Sequence, residues 1–200
     1  MKTKSILMAF LGVAMAAFLL AGCAGMQKAS EATFKTPEVT LYQAEVPSYF
    51  GYWFYNNQVQ PTNPANAKPA NNGAPLIYAF VFDVKNPNDF PVLMDNLKFT
   101  VALEGFALNT VASQDQIWIP GSKTSQVRVP CVLGMFEAFM SLGVVGGMDL
   151  QKMGKKPWEM IEKWWTTAPD FSFPVEVREG AAVFKADGVT KVAAFKAKYP

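Results

Sequence analysis

Hydrophobic positions fall along this chain in three regimes. The first is an unbroken apolar run from Ile6 to Leu20, led by Lys2 and Lys4 and closed by Leu20-Ala21-Gly22-Cys23. At roughly 15 residues it is shorter than the ~20 that a helix needs to cross a bilayer, and small residues stand before the cysteine as cleavage requires. Residues 1–22 therefore read as a cleavable signal with a lipobox, and Cys23 as the lipidated first residue of the mature chain. Several acyl chains on one residue make membrane attachment effectively permanent. Cys23 is then an anchor and takes no part in catalysis. Ala24 follows it where an aspartate would favour retention at the inner membrane, so the periplasmic face of the outer membrane is the expected location. From Cys23 to Thr36 the residues are small, polar or charged without period, which predicts a flexible tether reaching roughly 20 Å.

The second regime has the period of two that marks strands. Pro37 to Val46 predicts a first strand with Val39, Leu41 and Val46 inward. Leu76 to Val84 is almost uninterrupted and β-prone, as expected of a central or doubly covered strand. It stops at Asn86-Pro87-Asn88-Asp89, where proline removes a ladder donor and the Asn and Asp side chains favour turns. Asn96 to Glu104 alternates, with Leu97, Phe99, Val101 and Leu103 on one face. Shorter strands follow around Phe106 to Val111 and Gln116 to Ile119. Thr124 to Leu133 places Val127, Val129, Cys131 and Leu133 together, and near the end Phe171, Phe173, Val175 and Val177 alternate before Val183 and the run Val189 to Phe195. Between the first two strands, Asn56 to Pro75 has little apolar mass and predicts a mobile loop. The aromatic cluster before it, Tyr49, Phe50, Tyr52, Trp53, Phe54 and Tyr55, suits core packing or contact with a ligand or membrane.

The third regime lies between Gly134 and Pro169, where the spacing becomes helical and predicts two short helices. Phe136, Phe139, Met140, Leu142 and Val145 belong to the first, Gly146-Gly147 breaks it, and Pro157 suits the first position of a second running through Trp165. Trp158, Ile161 and Trp165 share a face that Trp164 widens. Two readings of this insert are open. It closes the open end of a sandwich, or its tryptophans meet the bilayer or gate an apolar cleft, since tryptophan favours membrane interfaces.

Charge and chemistry narrow the function. Two of the 18 basic residues lie in the signal, leaving 16 against 16 acidic ones and a mature chain of zero formal charge. Without a basic field, nucleic acid is not an expected partner. Cys131 is the single cysteine after the anchor, so no intrachain disulfide forms in the mature chain and Cys131 reads as a small core hydrophobe. The sequence contains no histidine. Ser-His and Cys-His nucleophile pairs are therefore impossible, and the usual imidazole and thiolate metal sets are missing. A carboxylate pair drawn from Asp83, Asp89, Asp95 and Glu104 is the remaining catalytic option, weighed against the commonplace role of aspartate beside turns. Gly143 to Gly147 lacks the Lys-Ser/Thr of a phosphate loop. No enzyme, cofactor or metal is expected.

The order of these signals resembles a known family. A β-run ending in Asn86-Pro87-Asn88, then Phe90-Pro91-Val92, the strand Leu97 to Leu103, Gly105, Ile119-Pro120-Gly121 and Val127 to Pro130 are similar to the late-embryogenesis-abundant type 2 proteins and their water-stress and hypersensitive-response (WHy) domain. The resemblance covers Pro37 to Leu133 and more loosely Phe171 to Phe195; the insert 134–169 departs from it. It implies a mainly β chain, an antiparallel β-sandwich related to fibronectin type III and immunoglobulin-like domains over residues 37–200, no catalytic machinery and an association with desiccation or other stress. Two functions follow as expectations. One is an envelope stress protein that binds proteins or membranes. The other is a carrier of an apolar ligand, or an accessory subunit for other envelope proteins, using Tyr52, Trp53, Trp158, Ile161, Trp164 and Trp165.

Overall fold

The computed structural model describes residues 28–50 and 75–200. Cys23, the signal 1–22, Tyr52, Trp53 and all of the loop 56–75 except Pro75 lie outside them. Two antiparallel sheets face each other. One has the order β1-β2-β6, and the other β4-β3-β7-β8 with β5 also paired to β3. The strands are β1 Glu38–Ser48, β2 Leu76–Lys85, β3 Val92–Leu103, β4 Phe106–Ser113, β5 Ile117–Ile119, β6 Thr124–Leu133, β7 Val175–Ala186 and β8 Val189–Tyr199.

The inward faces are those that alternation predicts. Leu97, Phe99, Val101 and Leu103 of β3 and Val127, Val129, Cys131 and Leu133 of β6 are all buried. In the central strand β2, Tyr78, Phe80 and Phe82 point into the sandwich, and Phe99 packs edge-on against Phe80 and Phe82 at 5.1 and 5.2 Å between ring centres. The other face of β2 is also shielded: Ala79 and Val81 lie beneath an ion pair that runs over the strand from Arg128 on β6 to Glu45 on β1, 2.9 Å long. The Arg128 guanidinium and the Gln43 amide hold the Glu45 carboxyl below its ordinary range.

Strand β3 begins at Val92, four residues before the predicted start. Its inward positions change phase, from Val92 and Met94 to Leu97 and Phe99, and the register with β7 shifts at that step. A bulge adds one residue to one strand and reverses which positions face the core, so simple alternation misses the junction. On the same edge of β3, β5 pairs with Val92 to Met94 and β4 with Leu97 to Leu103.

The insert contains three helices, α1 Met135–Val144, α2 Gly147–Met153 and α3 Pro157–Thr167, followed by a 3-10 turn at Ala168–Asp170. This corrects the expectation of two. Gly146-Gly147 does end the first helix, but Gly147 itself opens a helix seven residues long, closed by Gly154 at φ +64°, where a residue without Cβ is favoured. Pro157 is the first residue of α3, where its missing N–H costs nothing, and the Glu159 carboxylate accepts from the Lys156 N–H at 3.1 Å.

Candidate interaction surfaces

The register of the strands gives the sandwich two distinct ends. At one end lie the β2–β3 turn, the β5–β6 turn and the β7–β8 turn. At the other lie the β3–β4 turn, the ends of β1, β6 and β8, and the three helices.

The first end is a latch. Asn86 is buried, and its amide nitrogen donates to the carbonyls of Phe90, Ile119 and Pro120 at 2.8, 3.1 and 3.2 Å. Its oxygen accepts from the backbone N–H and the side-chain amide of Asn88 at 3.0 and 2.9 Å. Asn88, buried as well, grips the backbone of Lys35 from both sides: its oxygen accepts from the Lys35 N–H and its nitrogen donates to the Lys35 carbonyl, each at 2.8 Å. Pro87, between them, is exposed. Gly121 is required beside this network, since a Cβ there would stand 2.4 Å from the Asp89 carbonyl oxygen.

The latch changes the reading of the preceding segment. Residues 28–36 are not free tether: Ala29 and Phe34 are buried, and Phe34 meets Phe90 edge-on at 6.0 Å. The Ala29 N–H donates to Asp187 Oδ2 at 2.7 Å, and Glu31 pairs with Lys191 at 2.8 Å. Low apolar content and lack of period hid this arm. Phe34 and Ala29, hydrogen bonds to the arm's backbone and one ion pair hold it, and none of these produces a periodic signal.

At the other end, the insert closes the sandwich. Ile161, Trp164 and Trp165 are buried, and Trp158 is half-buried and stacked on Phe139 at 4.4 Å. Trp164 lies 6.1 Å from Phe106 and 6.5 Å from Phe173, and its indole N–H donates to Glu104 Oε2 at 2.8 Å. Lys163 pairs with the other oxygen of Glu104, which sits at φ +47° in the β3–β4 turn. The tryptophan face therefore turns into the protein, which corrects its reading as a bilayer or ligand contact. The apolar surface that faces water is elsewhere on the insert. Met140, Val144, Val145, Met148 and Met153 of α1, α2 and their junction are between 45% and 77% exposed. Tyr49 and Phe50, at the end of β1, are exposed at the same end. Periodicity identifies helices but cannot tell which of two apolar faces meets the core.

The four carboxylates considered for catalysis are not brought together. Asp83 bonds Gln126 on one sheet, Asp95 bonds Lys185 and Gln116 on the other, Asp89 lies at the latch and Glu104 at the helical end. Lys185 first, then Gln116, holds the Asp95 carboxyl below its ordinary range. Among the described residues, no three Asp, Glu, Cys or His side chains are placed to share a metal ion.

Two buried groups carry predictions. Burial pushes the Cys131 thiol up to about 12, against a smaller opposing effect of Asn109. Since the thiolate is the reactive species, its fraction at pH 8 is on the order of a thousandfold below that of a free thiol. Labelling of Cys131 by iodoacetamide is expected to be negligible in the native protein and rapid in urea, with mass spectrometry as the readout. Next to it in register, Tyr78 is fully buried, its ionisation is strongly disfavoured by burial, and its hydroxyl has no hydrogen-bond partner among the described residues. Tyr78→Phe removes this unpaired group while keeping the ring. It is expected to raise the unfolding free energy by about 1 kcal/mol in urea titration.

No known family model matches the chain, and a search of curated proteins finds no match. Solved structures do overlap it. A protein from Archaeoglobus fulgidus aligns at 8% identity over 82% of this chain and 92% of its own, with a TM-score of 0.39. A protein from Arabidopsis thaliana aligns at 10% identity over 87% and 82%, with a TM-score of 0.37. The solution structure of a candidate late-embryogenesis-abundant protein aligns at 12% identity over 100% and 86%, with a TM-score of 0.33. Overlaps this loose carry no argument, and the sheet order and burial pattern are what establish the sandwich.

Proposed function

We propose that this chain is a non-enzymatic lipoprotein of the cell envelope, of the late-embryogenesis-abundant type 2/WHy class, anchored through Cys23 at the periplasmic face of the outer membrane. In this reading it protects other proteins during water loss by covering their exposed apolar segments. The observation that carries it is the Met and Val surface of α1 and α2. Five large apolar side chains exposed along two consecutive helices signal an interaction surface, and methionine adapts to partners of varied shape. The class rests on the residue pattern around Asn86-Pro87-Asn88, and the anchor on the lipobox.

Two measurements test it. Radiolabelled palmitate is expected in the wild-type protein and not in Cys23→Ala; equal labelling sinks the anchor. A drying-sensitive reporter enzyme, dried and rehydrated with vesicles carrying the lipoprotein, should retain activity that is lost with the triple variant Val144→Lys, Val145→Lys, Met148→Lys. These positions are exposed, so the thermal midpoint should hardly move. Undiminished protection by the triple variant would remove the protective reading.

A second reading has one observation in its favour, a cavity of about 340 Å³ between β4, the end of β6 and α1, lined by Leu108, Asn109, Leu133, Glu137 and Ala138 among others. That volume lies at the lower limit for a small-molecule site. Native mass spectrometry of the extracted lipoprotein tests this carrier role through a copurifying lipid, and an accessory role through a stoichiometric protein.

A further inference from the structure

The docked N-terminal arm ties the anchoring point to one end of the sandwich. Counting from the proposed lipidated residue, Cys23, only residues 24–27 intervene before Lys28. Fully extended, those five Cα steps span at most about 17 Å. The arm they lead to is fixed to the β7–β8 turn through Ala29 and Asp187, to β8 through Glu31 and Lys191, and to the β2–β3 turn through Lys35 and Asn88. Strand β3, 12 residues long, separates the latch from the helical end by about 40 Å.

The latch end also carries the chemistry of a bilayer surface. Lys28, Lys35 and Lys123 are exposed and form no ion pair among the described residues, three cations against the two unpaired carboxylates Asp89 and Asp187, while Glu31 and Glu38 at the same end are paired. Lys35 borders a shallow polar recess of about 410 Å³ with Thr33, Asn88, Asp89 and Ser122. At the same end Trp118 of β5, opposite Leu93 near the start of β3, is 63% exposed, with its neighbour Ile119 turned into the core. Tryptophan and lysine are the side chains that favour the headgroup layer, the first through its amphipathic ring and the second through attraction to anionic lipid.

We infer that the latch end, with Lys28, Lys35, Lys123 and Trp118, rests on the phospholipid headgroups, so that the sandwich stands upright and its helical end is held away from the bilayer. The inference rests on the anchor proposed above and adds an orientation to it. The exposed Met and Val surface then faces away from the anchoring membrane, toward proteins in the compartment.

The test uses full-length lipoprotein, its acyl chains verified by intact mass, in vesicles containing phosphatidylethanolamine and phosphatidylglycerol with headgroup nitroxide lipids. A fluorophore is placed through Lys123→Cys in one sample and Met148→Cys in another, Cys131 being buried. Strong quenching at 123 with little at 148 is expected. Equal quenching, or more at 148, overturns the orientation while leaving the anchor intact; a protein without acyl mass overturns the anchor instead. Releasing the arm with Phe34→Ser should make quenching at the two positions converge. Continued preference for 123 in that variant would show that the arm does not set the orientation.

Discussion

Replacing Trp164 with alanine is expected to lower the unfolding free energy by about 4 kcal/mol, within the 3–5 kcal/mol typical of emptying a buried Trp or Phe site. The indole is fully buried between Phe106 and Phe173, so its removal leaves a cavity that two different elements border. It also deprives Glu104 of the indole hydrogen bond at the β3–β4 turn. Against a total stability of about 5–15 kcal/mol for a domain, this is a large fraction. Trp164→Phe refills most of the space but not the hydrogen bond, and should cost roughly 1–2 kcal/mol. Urea unfolding with an unchanged slope checks both values. Were the tryptophan face a membrane contact, the alanine variant would unfold at the wild-type urea concentration.

The second large effect is at the opposite end. Asn86→Ala is expected to cost about 3 kcal/mol, because three buried or half-buried carbonyls lose their donor and Asn88 loses the oxygen that positions it. The damage should reach the arm as well. Once Asn88 is free to turn, its paired bonds to Lys35 weaken, and the amide hydrogen of Lys35 should exchange far faster than in the wild type. Asn88→Ala should accelerate that exchange equally while destabilising the sandwich less, since the bonds of Asn86 to Phe90, Ile119 and Pro120 survive. Equal losses of stability in the two variants would contradict this division between a residue that closes the sandwich and one that fastens the arm.

These two sites differ in how far the sequence exposes them. Asn86-Pro87-Asn88 is visible as a strand terminator, because proline and asparagine act on their own backbone. That its two amides knit two turns and the arm together is not visible, since the partners lie at Lys35 and at Ile119 and Pro120, 53 and about 33 positions away. The tryptophans are visible as one helical face, but the direction of that face depends on an opening bordered by Phe106 of β4 and by Phe173 in the segment ahead of β7. Exposed Met148 and buried Met160 are alike in sequence, and only their neighbours distinguish them.

The chain's own order of residues determines the strands, their inward faces and the lack of imidazole chemistry. Alternation along an extended backbone and the identity of a side chain are local properties that need no partner. The tertiary structure decides what lies at each end: the arm fastened at the latch, the indoles turned inward and the methionines left outside. Those outcomes depend on surfaces contributed by residues far apart in the chain, and burial is decided by the neighbours that arrive rather than by the residue itself.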